Sequence, residues 1–513
     1  MIKKEGLSIL TLMKKNRREA GVLLHPTSLP SRWGVGDLGR NAYKFIDRLQ
    51  KAQAHLWQVL PLGPVGAGDS PYATRSTFAG NELLIDIEDL YEKGYLEVED
   101  VRGKQIVSER VDYNKVRELK YPLLIKAAKA FLKEDDKEYE SFKRKNGWWL
   151  KDYALFQVLC SVYNDSRWFS KWPEELKRRE EKALRKVRKE YAEEIEVYSA
   201  LQYFFFSQWM RLKKYANEHE IRIIGDIPIF VASDSVDAWT NTKLFKMDEK
   251  YNQKVNSGVP PDAFSATGQL WGNPVYDWAE HEKTGYEWWV NRLKETLKLV
   301  DIVRIDHFRG FAACWEVPAK EKTAMKGKWV KGPGQKLIDA FKKALGDDLP
   351  LIAEDLGVIT PDVEELRDSN NLPGMKILQF AFSSWGGRLD TSNYYLPHNI
   401  DENSVVYTGT HDNNTNVGWF RSLDWGTQDV VRRYLECDDD AVCYKLVRAA
   451  LMCRSKWAIC PMQDVLGLDE SARMNVPSTC GSSNWSWKLS QEMLDDEYNM
   501  QGFTNNILLS GRA

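Results

Sequence analysis

No stretch of the 513-residue sequence stays apolar for the roughly 20 residues that a membrane-crossing helix needs. The apolar run near the N-terminus, GLSILTLM (6–13), leads into KKNRR and not into a small-residue cleavage site, so it reads as a helix or arm and not as a secretory leader. Cysteine is sparse and unpatterned: Cys160, Cys314, Cys437, Cys443, Cys453, Cys460 and Cys480 are odd in number and none forms C-x-x-C. That excludes a disulfide framework or a zinc ribbon and fits reduced thiols in a soluble, cytoplasmic protein. Charge of one sign is not in excess either. The 72 Lys and Arg nearly balance 74 Asp and Glu, for a net charge of -2. Neither nucleic acid nor an acidic membrane is therefore an expected partner. Internal repeats, low-complexity tracts and disordered linkers are missing as well. No Gly-rich phosphate loop follows the last two strand candidates, and no His/Cys/Asp set has ligand spacing, so neither a metal nor a cofactor is expected.

What the sequence has in quantity is aromatic: 20 Trp, 22 Tyr and 19 Phe. Rings with an apolar face and a polar edge suit the two-sided surface of a pyranose, although most aromatics simply fill cores. It also has eight short apolar runs ending in polar or Gly/Pro punctuation: 21–25, 56–62, 221–230, 300–306, 349–355, 375–382, 404–412 and 457–464. Most are continuous and not alternating, as expected for parallel strands covered on both faces. Helical patterns precede several, including EWWVNRLKETLKL before 300 and GQKLIDAFKKAL before 349. The expected fold is α/β, a (β/α)8 TIM barrel with its reactive groups at the C-terminal strand ends. Asp226, Asp306, Glu354 and Asp412 fall there.

Uneven spacing predicts large inserted subdomains after the second and third strands of one catalytic barrel spanning 1–513. The first, 63–220, reads as helical and includes a charged helix from Pro173 with Leu184, Val187, Tyr191, Ile195 and Tyr198 as its apolar stripe. The second, 234–290, contains VPPDAFSATGQLWGNPVYDW (259–278), whose Pro, Gly, Asn and Trp content predicts a shaped loop of the kind that carries binding groups.

Within DIVRIDHFRG (301–310) a strand delivers Arg304, Asp306, His307 and Arg309 to one point. By itself this is equally a strand-end ion-pair cluster and a reactive site. Breaking an acetal needs one carboxyl group to protonate the leaving oxygen and another to meet the cationic carbon. Asp306, beside Arg304 and His307, is placed to stay ionised. Glu354, after the apolar PLIA, is placed to be partly buried and so to keep its proton. Asp412, between His411 and Asn413, is a third charge suited to gripping sugar hydroxyls. Cys314 lacks a neighbouring base and reads as a buried thiol.

The segments HPTSLPSRWGVGDLG (25–39), LPLGPVGAGDSPYATRSTFAGN (60–81), GDIPIFVASDSVDAW (225–239), RIDHFRG, WVKGPG (329–334), IAEDLGVITPDV (352–363), GTHDNNT (409–415) and ARMNVPSTCGSSNWSWK (472–488) run in order through almost the whole chain. With the 259–278 loop, they resemble the amylomaltases, the 4-α-glucanotransferases of glycoside hydrolase family 77 in the α-amylase superfamily. The resemblance implies a retaining mechanism with Asp306 as nucleophile, Glu354 as acid/base and Asp412 as transition-state stabiliser. It implies that Arg304, His307, His411 and Asp226 line the subsite at the cleavage point. Asp226 stands in D-x-P, as is common in this family, and lacks the Asn-His ending of many amylases. Asp262, Phe264, Gln269, Trp271 and Asn273 would belong to a glucan-covering loop, while Ser70, Tyr72 and Asn484 would add contacts. The implied partners are maltooligosaccharides and α-1,4-glucans. Rival readings are an α-glucan hydrolase, a non-catalytic glucan-binding barrel and a phosphate-handling barrel. The products formed from maltotriose separate the first from a transferase.

Overall fold

The computed structural model describes residues 17–261, 265–382, 384–385 and 387–513. The N-terminal run 6–13, and Asp262 and Phe264 of the covering loop, lie outside the described residues. Among the described residues there are fourteen strands: β1 (Glu19–Leu23), β2 (Leu56–Gln58), β3 (Arg222–Pro228), β4 (Val255–Val259), β5 (Gln269–Pro274), β6 (Ile302–Asp306), β7 (Ala313–Pro318), β8 (Lys328–Lys331), β9 (Leu351–Ala353), β10 (Gly374–Ile377), β11 (Ser384–Trp385), β12 (Arg388–Leu389), β13 (Ser404–Tyr407) and β14 (Trp457–Pro461).

A closed barrel forms in the order β1-β14-β13-β10-β9-β6-β3-β2, with every pairing parallel. Each of the eight apolar runs supplies one of these strands. Their Val, Ile and Leu side chains are buried because the barrel interior takes one face and the helix layer the other. Seven of the eight strands are shorter than their runs. β9 stops at Ala353, so Glu354 begins the loop, and β13 stops at Tyr407, so Asp412 lies well along the following loop. Asp226 is not at a strand end. It sits within β3, in register with Arg304 of β6, buried inside the barrel.

Between β2 and β3 the chain is helical, with long helices at Tyr113–Phe131, Lys137–Tyr163 and Ala192–Glu218. An aromatic cluster including Phe131, Tyr139, Tyr203 and Phe204 joins them. The Trp209 indole donates to the Leu299 carbonyl at 2.8 Å and ties the last of them to the barrel. The single charged helix expected from Pro173 is three helices, Glu174–Lys177, Glu181–Glu190 and Ala192–Glu218. Arg179 at φ 54° and Tyr191 at φ -114°, ψ 36° interrupt it. Of the apolar stripe only Leu184 is fully buried, so too little apolar surface faces the core to hold one straight rod.

The run expected as a shaped loop at 259–278 contains the end of β4 and all of β5. β5 pairs with β4, β4 with β7 and β7 with β8, giving a four-stranded antiparallel sheet in the order β5-β4-β7-β8. Two of its strands precede β6 and two follow it, so this sheet brackets the strand that carries Asp306. No helix among the described residues is long and apolar enough to cross a membrane.

Candidate active site

Arg304 is the electrostatic centre of the barrel mouth. Its Nη1 donates to both Asp226 oxygens at 2.8 and 2.7 Å, and its Nη2 lies 2.9 Å from Asp306 Oδ1. Burial works against its charge, but Asp226 and Asp306 offset that and hold the guanidinium well above its usual range. Asp226 is fully enclosed; burial pushes its carboxyl up and Arg304 opposes the shift. The bidentate geometry is that of a charged pair. Asp306 by contrast keeps 31% of its side chain exposed, facing the cleft with one oxygen on Arg304. An arginine-paired, accessible carboxylate is a nucleophile's environment.

Glu354 sits in the opposite environment. It is buried, and its pKa is pushed up to about 8, chiefly by that burial and then by the charge of Asp306. Backbone N–H groups of His307 and Leu356 reach its two oxygens at 2.6 and 2.9 Å and fix the carboxyl plane. The first of these depends on His307 adopting a left-handed conformation, φ 54° and ψ 47°, immediately after β6. Such a turn is uncommon for a non-glycine residue and is held only where its surroundings over-determine it. The reward is that the loops bearing Asp306 and Glu354 are hydrogen-bonded to each other; Phe308 N also donates to the Glu354 carbonyl at 3.1 Å.

The raised carboxyl carries a stability consequence. The folded state holds a proton on Glu354 that the unfolded chain releases near its ordinary 4.5, so this contribution to stability is present at low pH and falls as pH rises toward about 8. In Glu354→Gln the Tm profile between these limits is expected to be flatter than wild type. A parallel decline of the two profiles in calorimetry would show that the carboxyl is not displaced.

Tyr72 donates to Asp226 at 2.7 Å and stacks on His411 with ring centroids 4.9 Å apart. Burial and then Asp226 keep its phenol protonated. Asp412 lies next to buried His411, with 3.5 Å between His411 Nε2 and its carboxylate, and is half exposed. Two residues not singled out from the sequence aim it: Asn475 Nδ2 donates to Asp412 Oδ1 at 2.7 Å and Arg473 Nη2 to its backbone carbonyl at 2.7 Å. Both residues stand in ARMNVPST, a segment that was visible as a motif but carried no acidic residue to draw notice.

His307 is partly buried, with its Nε2 enclosed and unpartnered, and its pKa is lowered to about 3 by desolvation and then by Arg309. A neutral ring with a free nitrogen at the mouth is suited to a sugar hydroxyl. Trp271, 38% exposed, meets it edge-on at 4.8 Å and donates its indole N–H to Gln269 Oε1 at 3.2 Å. The structure therefore brings Arg304, Asp306, His307, Glu354, Tyr72, Asp226, His411, Asp412 and Trp271 to one mouth.

Other expected contacts are engaged elsewhere. Asn273 donates to the Val231 carbonyl at 2.9 Å and so anchors β5. Asn484 holds its own loop, accepting from Val476 N at 3.1 Å and donating to Thr479 O at 3.1 Å; its neighbour Trp485 is the residue whose ring borders Tyr72 and His411. Ser70 accepts from Tyr72 N at 3.2 Å and shapes the turn that presents the tyrosine. Arg309 leaves the cluster and stacks on Trp329. Cys314 is a buried thiol pushed up to about 12 by burial. Among the described residues no group of three His, Cys, Asp or Glu is placed to hold a metal ion.

A parallel eight-stranded barrel with an arginine-paired carboxylate at the end of β6 and a buried one just after β9 has the layout of an enzyme acting on glycosidic bonds. Within that class the chain belongs to the 4-alpha-glucanotransferase family, whose model matches residues 24–494. It is 46% identical to a 4-alpha-glucanotransferase of Streptococcus pneumoniae over 488 residues, covering 94% of this chain and 95% of that protein. It is 45% identical to that of Thermus thermophilus, covering 94% and 96%. Among solved structures, the amylomaltase of Streptococcus agalactiae in complex with acarbose superposes with a TM-score of 0.93 at 37% identity, covering 97% of this chain and all of that one.

Proposed function

We propose that this protein transfers segments of α-1,4-glucans to the 4-hydroxyl of an acceptor glucan or glucose by double displacement with retention. Asp306 is the nucleophile, Glu354 the acid/base and Asp412 the stabiliser of the transition state. The observation that carries the reading is the contrast between two neighbouring carboxyl groups, one paired with Arg304 and accessible, the other buried and held protonated up to about 8.

The same contrast explains a change of role. In the first step Glu354 gives its proton to the leaving glucan oxygen while Asp306 bonds to the anomeric carbon. Esterification removes the charge of Asp306, the second largest cause of the raised Glu354 pKa. Glu354 thus becomes more acidic just when it must accept a proton from the incoming hydroxyl. Arg304, relieved of one carboxylate, remains paired with Asp226.

The substrate class follows from the family and from the mouth's aromatic lining of Tyr72, Trp271 and Trp485. Asp412, His411 and His307 are the groups for sugar hydroxyls. The whole chain is read as one catalytic barrel, with 63–220 and 234–290 as subdomains serving it. The seven free thiols support a reducing, cytoplasmic setting.

Incubation with maltotriose tests the assignment. A ladder of shorter and longer maltooligosaccharides is expected; only shorter products would make the protein a hydrolase. Trp271→Ala should open the mouth beside His307 and increase the glucose released by hydrolysis several-fold relative to transfer. An unchanged ratio would remove the tryptophan from any water-excluding role.

A further inference from the structure

Arg309 arrives on the loop of the nucleophile, yet it faces away from the carboxylates. The side chain is buried, with the guanidinium carbon 3.8 Å from the Trp329 ring centroid. Its Nη1 donates to the Val358 carbonyl, on the loop that starts with Glu354. One cation thus joins the Asp306 loop, the Glu354 loop and β8. A guanidinium stacked on a partly exposed indole is a favourable contact, and its flat fork can stack and donate at once.

The backbone interlocks at the same place. Gly332 N donates to the Ala312 carbonyl at 2.7 Å and Gly334 N to the Phe311 carbonyl at 2.8 Å. A Cβ on Gly332 would fall 2.3 Å from the Phe311 carbonyl oxygen, so only glycine permits this approach. WVKGPG and RIDHFRG are therefore two halves of one joint. From β8 the sheet runs through β7 and β4 to β5, where Trp271 meets His307. Both edges of the four-stranded sheet rest on the segment that carries Asp306.

We propose that Arg309 is a positioning residue that clamps this sheet over the site and thereby sets how the glucosyl intermediate divides between sugar and water. The inference rests on the glucanotransferase reading. In both outcomes the bond from Asp306 to the anomeric carbon breaks and a bond from the acceptor oxygen forms. The acceptor's proton passes to Glu354 and Asp306 leaves as a carboxylate. Only the acceptor differs, so loosening the sheet changes who enters and not which bonds are exchanged.

The test uses the full chain and maltotriose, with the product ladder and total reducing ends measured together. Transfer conserves reducing ends and each hydrolysis adds one. Arg309→Gln and Trp329→Ala are each expected to raise the hydrolytic share several-fold, the scale of losing a cation–π contact whose indole is partly exposed. Trp329→Phe keeps a ring for the guanidinium and should stay near wild type. Arg309→Lys, unable to stack and donate together, should resemble Arg309→Gln. The double variant should be no worse than either single one, because both break the same clasp. Since both branches leave one intermediate, a merely structural loss would lower them alike. A lowered rate with an unchanged share in Arg309→Gln, or additive effects in the double variant, would overturn the proposal. Should Arg309→Gln fail to fold, Trp329→Ala alone decides by the same measure. Wild-type protein without a ladder would refute the glucanotransferase reading; a wild-type ladder with an unmoved share in the variants would refute the clasp only.

Discussion

Asp306→Asn is expected to lower maltotriose disproportionation by about four orders of magnitude or more, the scale of losing a nucleophile whose partners act as a unit. The amide has the shape of the carboxylate and can still accept from Arg304 Nη2, which lies 2.9 Å away, so the fold should survive. What is lost is the negative charge that meets the anomeric carbon and the oxygen that forms the ester. The variant has a second signature. The charge of Asp306 is a cause of the raised Glu354 pKa, so the Glu354 carboxyl should titrate below about 8 in Asp306→Asn, as followed by NMR. Near-normal disproportionation in a folded variant would end the assignment of Asp306. An unmoved Glu354 titration would show that burial alone displaces it.

Glu354→Gln should cost about three orders of magnitude with glucan donors, at the upper end of what proton transfer contributes. The loss should depend on the leaving group. A maltosyl fluoride, which departs without protonation, should still form the ester on Asp306, and with no base to activate the acceptor that ester should accumulate and be visible as a mass increase. In wild type the free enzyme needs Glu354 protonated, so kcat/KM should fall as pH rises through about 8. This alkaline limb should be missing from the residual activity of Glu354→Gln. Equal losses with glucan and fluoride donors, or an alkaline limb retained in the variant, would assign the proton to another group.

The barrel was legible because its information is local. Most of its strands lie in continuous apolar runs with both faces covered, and nothing outside the run is needed to recognise them. The covering sheet was not legible. β8 is largely exposed and lies between Gly, Pro and Lys, β7 is only half buried, and β4 and β5 acquire strand character only by pairing across the chain. Short strands of this kind are stabilised by neighbours more than by their own composition.

The candidate site divides along the same line. Asp306, Glu354 and Asp412 follow apolar runs, and their residue types already suit glycosidic chemistry. Asn484 was chosen over Trp485, and Arg473 and Asn475 were passed over, because adjacency in sequence does not say which of two neighbours faces the mouth. Arg309 was grouped with the carboxylates on the same ground, and the turn at His307 sends it the other way.

By itself, then, the amino-acid sequence determined the eight strands, their parallel closure and the three acidic residues at the mouth. Burial on both faces imprints itself on every residue of a run. The tertiary structure alone decided that Glu354 is buried beside an arginine-paired Asp306, that Arg304 serves two carboxylates, and that a sheet built from both sides of β6 rests on Arg309 and His307. These are properties of distance and exclusion of water between segments far apart in the chain, and a pKa or a clasp exists only once those segments meet.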